Sequence, residues 1–190
     1  MMLFKILWAV VVLFPVSEIV LARVKRAKPQ TSQLEDRGSM RLLWLAITVG
    51  VTLAIIAPQW LPSARVPGSF RLLGSLALSL MVVCLTIRWV AILTLGRLFT
   101  VNVAIQTGHS VVESGPYRFV RHPSYSGLLL AFVGLAIFFG NWFSIVGLLV
   151  PIVLAVLNRV AKEEQALLAS LGPPYAAYCA RTKRFIPYLV

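Results

Sequence analysis

Apolar residues in this chain come in long blocks, separated by short stretches that are basic or rich in turn formers. The first block, "MMLFKILWAVVVLFPVSEIVLA", ends at a basic cluster, Arg23, Lys25, Arg26 and Lys28. A polar linker then runs to Arg41, with Glu35 and Asp36 as its only acids. Residues 42–61 form a second block closed by "PQWLP", the loop "SARVPGS" follows, and a third block runs from Phe70 to about Leu93. Each block holds about twenty residues, the length that crosses a ~30 Å hydrocarbon layer as a helix. Residues 94–121 are mixed, and their Gly, Asn, Ser and Pro predict an irregular connection.

A different constraint governs the next stretch. From His122 to Asn158, 37 residues contain no Asp, Glu, Lys or Arg. As one straight helix they would extend about 55 Å, far more than the bilayer core. The run must therefore fold back. "FFGNWF", residues 138–143, supplies the turn. Gly140 and Asn141 tolerate left-handed backbone, and Trp142 suits a membrane interface. The prediction is a tight helical hairpin. The tail from Asn158 is amphipathic, and Gly172 followed by Pro173 and Pro174 predicts the end of one helix and the start of another.

Composition fixes the class. The chain is 59% hydrophobic and 13% charged, with a mean hydropathy of +0.87, whereas a soluble domain carries about 25% charged residues. These values predict an all-α, polytopic membrane protein. It has about five transmembrane helices, including the C-terminal hairpin, plus an amphipathic cytosolic C-terminal helix. The first block reads as a retained span with its N terminus outside. Val20 and Ala22 would suit signal-peptide cleavage, but Pro15 and Glu18 interrupt the block and the basic cluster lies on its far side. The positive-inside rule places 23–41, 94–121 and 159–190 in the cytosol. The net charge of +12 sits mostly beside apolar runs, so anionic lipid, not nucleic acid, is the expected partner. Cys84 and Cys179 have no ligand spacing and read as unpaired packing residues, with no metal site.

The chemistry-bearing residues flank the hairpin. In "RHPSY", Pro123 suits the first position of a helix whose exposed N–H groups can hold an anion. His122 precedes it, and Tyr125 lies near the same face. Arg118 and Arg121 either belong to this site or anchor the span to lipid phosphates. In "NRVAKEE", Arg159 and Glu163 are four apart and share a helix face. The hairpin should bring them opposite His122 and Tyr125. The bland alternative is a surface ion pair of little value. Arg88, in the last turns of the third block, either snorkels to the cytosol or pairs with an acid.

"GPYRFVRHPSYSG", "GNW", "RVAKEEQALL" and "YAAYCARTKRFIP", in that order, resemble the isoprenylcysteine carboxyl methyltransferase family, which is related to the membrane phospholipid methyltransferases. The resemblance covers roughly residues 85–188. The chain then divides into N-terminal transmembrane helices and a basic cytosolic loop in residues 1–93, which match the family only in character, and a catalytic methyltransferase region in 94–190. The resemblance implies S-adenosyl-L-methionine bound in a cytosol-facing pocket, with a lipophilic small-molecule or prenylated acceptor entering from the bilayer. By position, the cofactor contacts would be His109, Ser110, Val111, Val112, Tyr117, His122, Pro123, Ser124, Tyr125 and Glu163. Arg159 would approach the acceptor and, with Glu163, carry catalysis. The location would be the cytoplasmic membrane of a prokaryote or the endoplasmic reticulum of a eukaryote. "LGPPY" departs from the family pattern, which bears on the shape of the last helix.

The acceptor's chemistry sets what else is required. A carboxylate is ionised near neutral pH and needs an orienting cation, for which Arg159 fits. An amine, as in phosphatidylethanolamine, must first lose a proton. Glu164, Glu113 or His122 could then serve as base. The balance favours O-methylation of a carboxylate. A phospholipid N-methyltransferase and a membrane NADPH-dependent lipid reductase are the rival enzymes, and a lipid-binding scaffold is the rival outside catalysis.

Overall fold

Glycine and proline punctuate the folded chain where the sequence predicts. The computed structural model describes residues 37–99 and 110–187, together with Ala9, Leu13, Val16, Val20 and Leu21. Apart from those five positions, the predicted first span lies outside the described residues. Helix α1 spans Arg37–Trp60, α2 Phe70–Leu95, α3 Pro123–Phe139, α4 Trp142–Leu171 and α5 Pro173–Arg181. Among the described residues the only β pairings are two isolated bridges, Arg65 with Asn141 and Val120 with Lys183.

The helix ends have local causes. Ser69 caps α2 by accepting from Leu72 N at 3.3 Å. Pro123 opens α3, and Gly140 closes it at φ 59°, in the left-handed region that favours glycine. Asn141 then caps α4, its Oδ1 accepting from Phe143 N at 2.9 Å and Ser144 N at 3.3 Å. The predicted turn is thus two residues, Gly140 and Asn141. Pro173 sits at the start of α5, so the departure at "LGPPY" still yields a helix.

The hairpin is unequal. Helix α3 has 17 residues and α4 has 30, about 25 Å against about 45 Å. Both leave the same turn, so the last third of α4 projects past the start of α3. The uncharged run stops at Asn158, but the helix does not. Helices α1, α2 and α4 are long and apolar enough to cross a membrane, while α3 is a shorter apolar helix.

Packing alternates around the bundle. Helix α1 lies chiefly on α4, and α2 chiefly on α3. In lipid, apolar burial gives little drive for helices to associate, so close van der Waals contact must supply it. Gly127 shows the consequence. A Cβ there would stand 2.8 Å from the Cys84 carbonyl oxygen and 3.0 Å from Arg88 N. The core joins Leu43, Leu128, Phe132, Leu148, Ile152, Val156 and Val160, with Phe185 from the C-terminal segment. Leu45, Val83, Leu93 and Leu154 are exposed on the outer faces, where lipid would cover them.

The two ends of the bundle are distinct. At one end Asn141 Nδ2 donates to Leu61 O at 2.9 Å, and Val66 N donates to Gly140 O at 2.9 Å. The loop after α1 and the hairpin turn are therefore neighbours. The start of α1, the end of α2, the start of α3 and the last third of α4 gather at the other end.

Gly127→Ala should force α2 and α3 apart, because the obstructing atoms are backbone. A loss of about 1–3 kcal/mol is expected, read as a lower unfolding temperature in detergent micelles. An unchanged midpoint would mean that the close approach does not hold the pair together.

Candidate active site

At the start of α3 the carbonyl of His122 accepts from Tyr125 N and Ser126 N, both at 3.0 Å. That first turn aims Tyr125 at α4. Its hydroxyl donates to Glu163 Oε2 at 2.9 Å and accepts from Arg159 Nε at 2.7 Å. Arg159 Nη1 donates to Ser39 Oγ of α1 at 3.0 Å. Arg159 and Ser39 are both buried. The chain Ser39–Arg159–Tyr125–Glu163 thus stitches three helices through polar contacts. The predicted meeting of "RHPSY" and "RVAKEE" across the hairpin is present, with one difference in partner: His122 meets Glu164 instead of Glu163.

Glu164 gathers two arginines and a histidine. Its Oε1 accepts from Arg121 Nε at 2.9 Å and lies 3.3 Å from His122 Nε2. Its Oε2 accepts from Arg184 Nη2 at 2.7 Å and Nε at 3.0 Å. Arg121 also donates to the carbonyls of Cys179, at 3.0 Å, and Thr182. Alongside, Arg121 N donates to Lys183 O at 2.7 Å, and His122 N donates to Arg184 O at 2.9 Å. Ser126 Oγ closes the seam on Phe185 O at 2.7 Å. The two adjacent glutamates therefore divide their work. Glu163 faces Tyr125, and Glu164 fastens the C-terminal segment beside the entry to α3. Arg121 is turned inward, not toward lipid phosphates. Arg118 is exposed, with its guanidinium 5.2 Å from the Phe119 ring centroid.

The remaining predicted residues fall around this centre. Tyr117 is buried in the short turn Gly115–Arg118, and its carbonyl accepts from Tyr178 Oη at 2.6 Å. Burial pushes the Tyr117 hydroxyl above its ordinary pKa, and the charge of Glu163 adds to the rise. Burial also raises Tyr178, to about 12. Both hydroxyls stay protonated at neutral pH. Pro123 and Ser124 are buried, and Ser124 accepts from Arg88 Nη1 on its carbonyl at 3.0 Å and its Oγ at 2.8 Å. Arg88 is itself buried, so it points into the bundle instead of snorkelling. Ser110 is exposed and Val111 and Val112 are half-buried in the stretch leading to the Gly115 turn. Glu113 pairs with Arg181 Nη2 at 2.5 Å across the surface. His109 lies outside the described residues.

Sequence reasoning did not place Ser39, Arg184 or Tyr178 here. Ser39 lies 120 residues from Arg159, in a polar stretch with no local signal. Arg88 did carry a signal, since a charge within an apolar span is expensive unless satisfied, but nothing in the chain named Ser124 as its partner.

The bundle and this cluster define a class: a helical integral membrane protein with a charged, largely buried site at one end of an inserted hairpin. The sequence profile of the isoprenylcysteine carboxyl methyltransferase family matches residues 77–169, from α2 through the charged turns of α4. Over those residues, about half of its length, the chain resembles that family. It is 29% identical to protein-S-isoprenylcysteine O-methyltransferase B of Arabidopsis thaliana over 119 residues, 62% of this chain and 60% of that one. It is 26% identical to a probable protein-S-isoprenylcysteine O-methyltransferase of Oryza sativa subsp. indica over 186 residues, 95% of this chain and 94% of that one. A solved structure of the eukaryotic intramembrane Ras methyltransferase superposes with a TM-score of 0.70 at 22% identity. That superposition covers 98% of this chain and 67% of the other and shows a shared fold.

Glu164→Ala should release the segment 182–187. The variant should lose about 2–3 kcal/mol from its charged hydrogen bonds, and trypsin should cleave after Lys183 and Arg184 markedly faster. Unchanged cleavage with an unchanged melting point would show that the seam is held by its backbone contacts alone.

Proposed function

We propose that the protein is an integral-membrane methyltransferase that uses S-adenosyl-L-methionine and methylates the carboxylate of a lipophilic, isoprenylcysteine-like acceptor on the cytosolic side. The observation that carries this reading is the position of the Tyr125 hydroxyl, held between the Arg159 guanidinium and the Glu163 carboxylate. One side of the site offers a cation and the other an anion, separated by a single phenol.

That donor set fits the cofactor. When bound, S-adenosyl-L-methionine supplies a methyl group activated by a sulfonium. Glu163 gives one lone pair to Tyr125, and a carboxylate has capacity for several more hydrogen bonds, so it suits the cationic or hydrogen-donating part. The start of α3 offers little to an anionic part, because Pro123 has no N–H and those of His122, Tyr125 and Ser126 donate to carbonyls of the chain. Family resemblance adds His109, Ser110, Val111, Val112, Tyr117, His122, Pro123 and Ser124 to the cofactor contacts. Arg159 orients the acceptor, since a planar guanidinium matches a carboxylate in two-pronged fashion. The protein's task is then alignment of two partners, with little chemistry of its own.

The candidate bases bear on the type of acceptor. Glu164 is engaged by Arg121, His122 and Arg184, and Glu113 by Arg181. A carboxylate acceptor needs no base, whereas an amine does. This supports O-methylation over N-methylation of phosphatidylethanolamine. The positive-inside distribution supports a site open to the cytosol.

Purified protein in liposomes, given methyl-labelled cofactor, should label a prenylcysteine analogue and leave phosphatidylethanolamine unlabelled. The reverse pattern would overturn the carboxylate assignment. Glu163→Gln should weaken S-adenosylhomocysteine binding at least tenfold. Arg159→Ala should leave that affinity within about twofold and depress acceptor turnover at least a hundredfold, as loss of a charged orienting contact implies. Equal loss of cofactor affinity in the two variants would refute the separate roles.

A further inference from the structure

Among the described residues, the Tyr175 hydroxyl is a buried polar group without a hydrogen-bond partner. The residue is 4% exposed. Buried hydroxyls are ordinarily paired, and leaving one unpaired is unfavourable. An orphan in a packed place therefore calls for a partner that the chain does not supply.

The surroundings of Tyr175 locate that partner. Tyr175 lies in the first turn of α5, three residues before Tyr178 and so on the same face. Their ring centroids are 6.0 Å apart. Tyr178 bonds to the Tyr117 carbonyl, and Cys179, one turn beyond Tyr175, gives its carbonyl to Arg121, which holds Glu164. This face of α5 is turned toward the Gly115–Arg118 turn and the charged turn of α4. Burial first, and then negative neighbours that include Glu164 and Glu163, raise the pKa of the Tyr175 hydroxyl. It is a donor at neutral pH. Beside two glutamates it would meet a neutral acceptor more readily than a third carboxylate, because like charges disfavour each other at close range.

We infer that Tyr175 donates a hydrogen bond to a neutral acceptor on the nucleoside part of the bound cofactor, which makes α5 a wall of the binding site. This rests on the reading of the site as one for S-adenosyl-L-methionine. Tyr175 is a binding residue in this assignment, complementary to Glu163, which addresses the amino-acid part.

The test is Tyr175→Phe, which keeps the ring and removes only the hydroxyl. Without ligand the variant should melt at the wild-type temperature or above, since an unpaired group has been deleted. Its affinity for S-adenosylhomocysteine, measured by calorimetry, should fall about fivefold, the scale of one hydrogen bond. Methylthioadenosine, which keeps the nucleoside and lacks the amino acid, should lose the same factor as a competitor. Glu163→Gln should weaken S-adenosylhomocysteine and spare methylthioadenosine. An unchanged affinity of Tyr175→Phe overturns the assignment. So does a lower melting point of the empty variant, or a loss confined to S-adenosylhomocysteine. Failure of methylthioadenosine to compete on wild-type protein that binds S-adenosylhomocysteine also overturns it. If wild-type protein binds no S-adenosylhomocysteine, the cofactor reading itself fails, and the assignment with it.

Discussion

Everything in the structure depends on the inability of 37 uncharged residues to cross a bilayer in one line. A helix of that length overshoots the hydrocarbon by about 25 Å, so the chain must reverse within the run. Gly140 and Asn141 make the reversal in two residues, one in left-handed backbone and the other as the cap of the next helix. A turn that short leaves no slack. The register of α3 against α4 follows from it, and with the register comes the meeting of Tyr125 with Arg159 and Glu163.

The inequality of the two arms is as important as the turn. Because α4 outruns α3, its last third stands beside the start of α3 without a helical neighbour of equal height. The C-terminal segment fills that place. Helix α5 doubles back after Gly172, and residues 182–187 run beside 120–122. Glu164 binds the three parts together through Arg121, His122 and Arg184. This charged knot is tolerated because Glu164 directly answers the largely buried Arg121, while Arg184 remains half exposed to water. Glu163, one residue earlier, points around the helix to a different neighbour, and it keeps capacity for a ligand.

Small residues let the outer helices reach the site. Gly127 allows α2 to approach α3 backbone to backbone, which brings the buried Arg88 onto Ser124. Gly50 of α1 does the same against α4, where a Cβ would stand 3.0 Å from Leu148 O. That closeness is what carries Ser39 to Arg159. The polar site is therefore supported from two sides by contacts whose strength lies in shape, as packing within lipid requires.

The helices, the hairpin turn, the end of α4 at Gly172 and the meeting of "RHPSY" with "RVAKEE" were legible in the sequence. Each is written locally, in block length, in turn formers or in i, i+4 spacing. The division between Glu163 and Glu164 was not, because adjacent residues on a helix differ in direction by about 100°, and only the position of the neighbours tells which direction matters. The inward turn of Arg121, the partner of Arg88 and the arrival of Ser39 and Arg184 were likewise decided by tertiary structure. Their partners lie from 20 to 120 residues away. No periodicity spans such a distance. The sequence alone determined that this chain folds back within the membrane and where its charges begin. Which charge faces which was settled by the height of one helix above another.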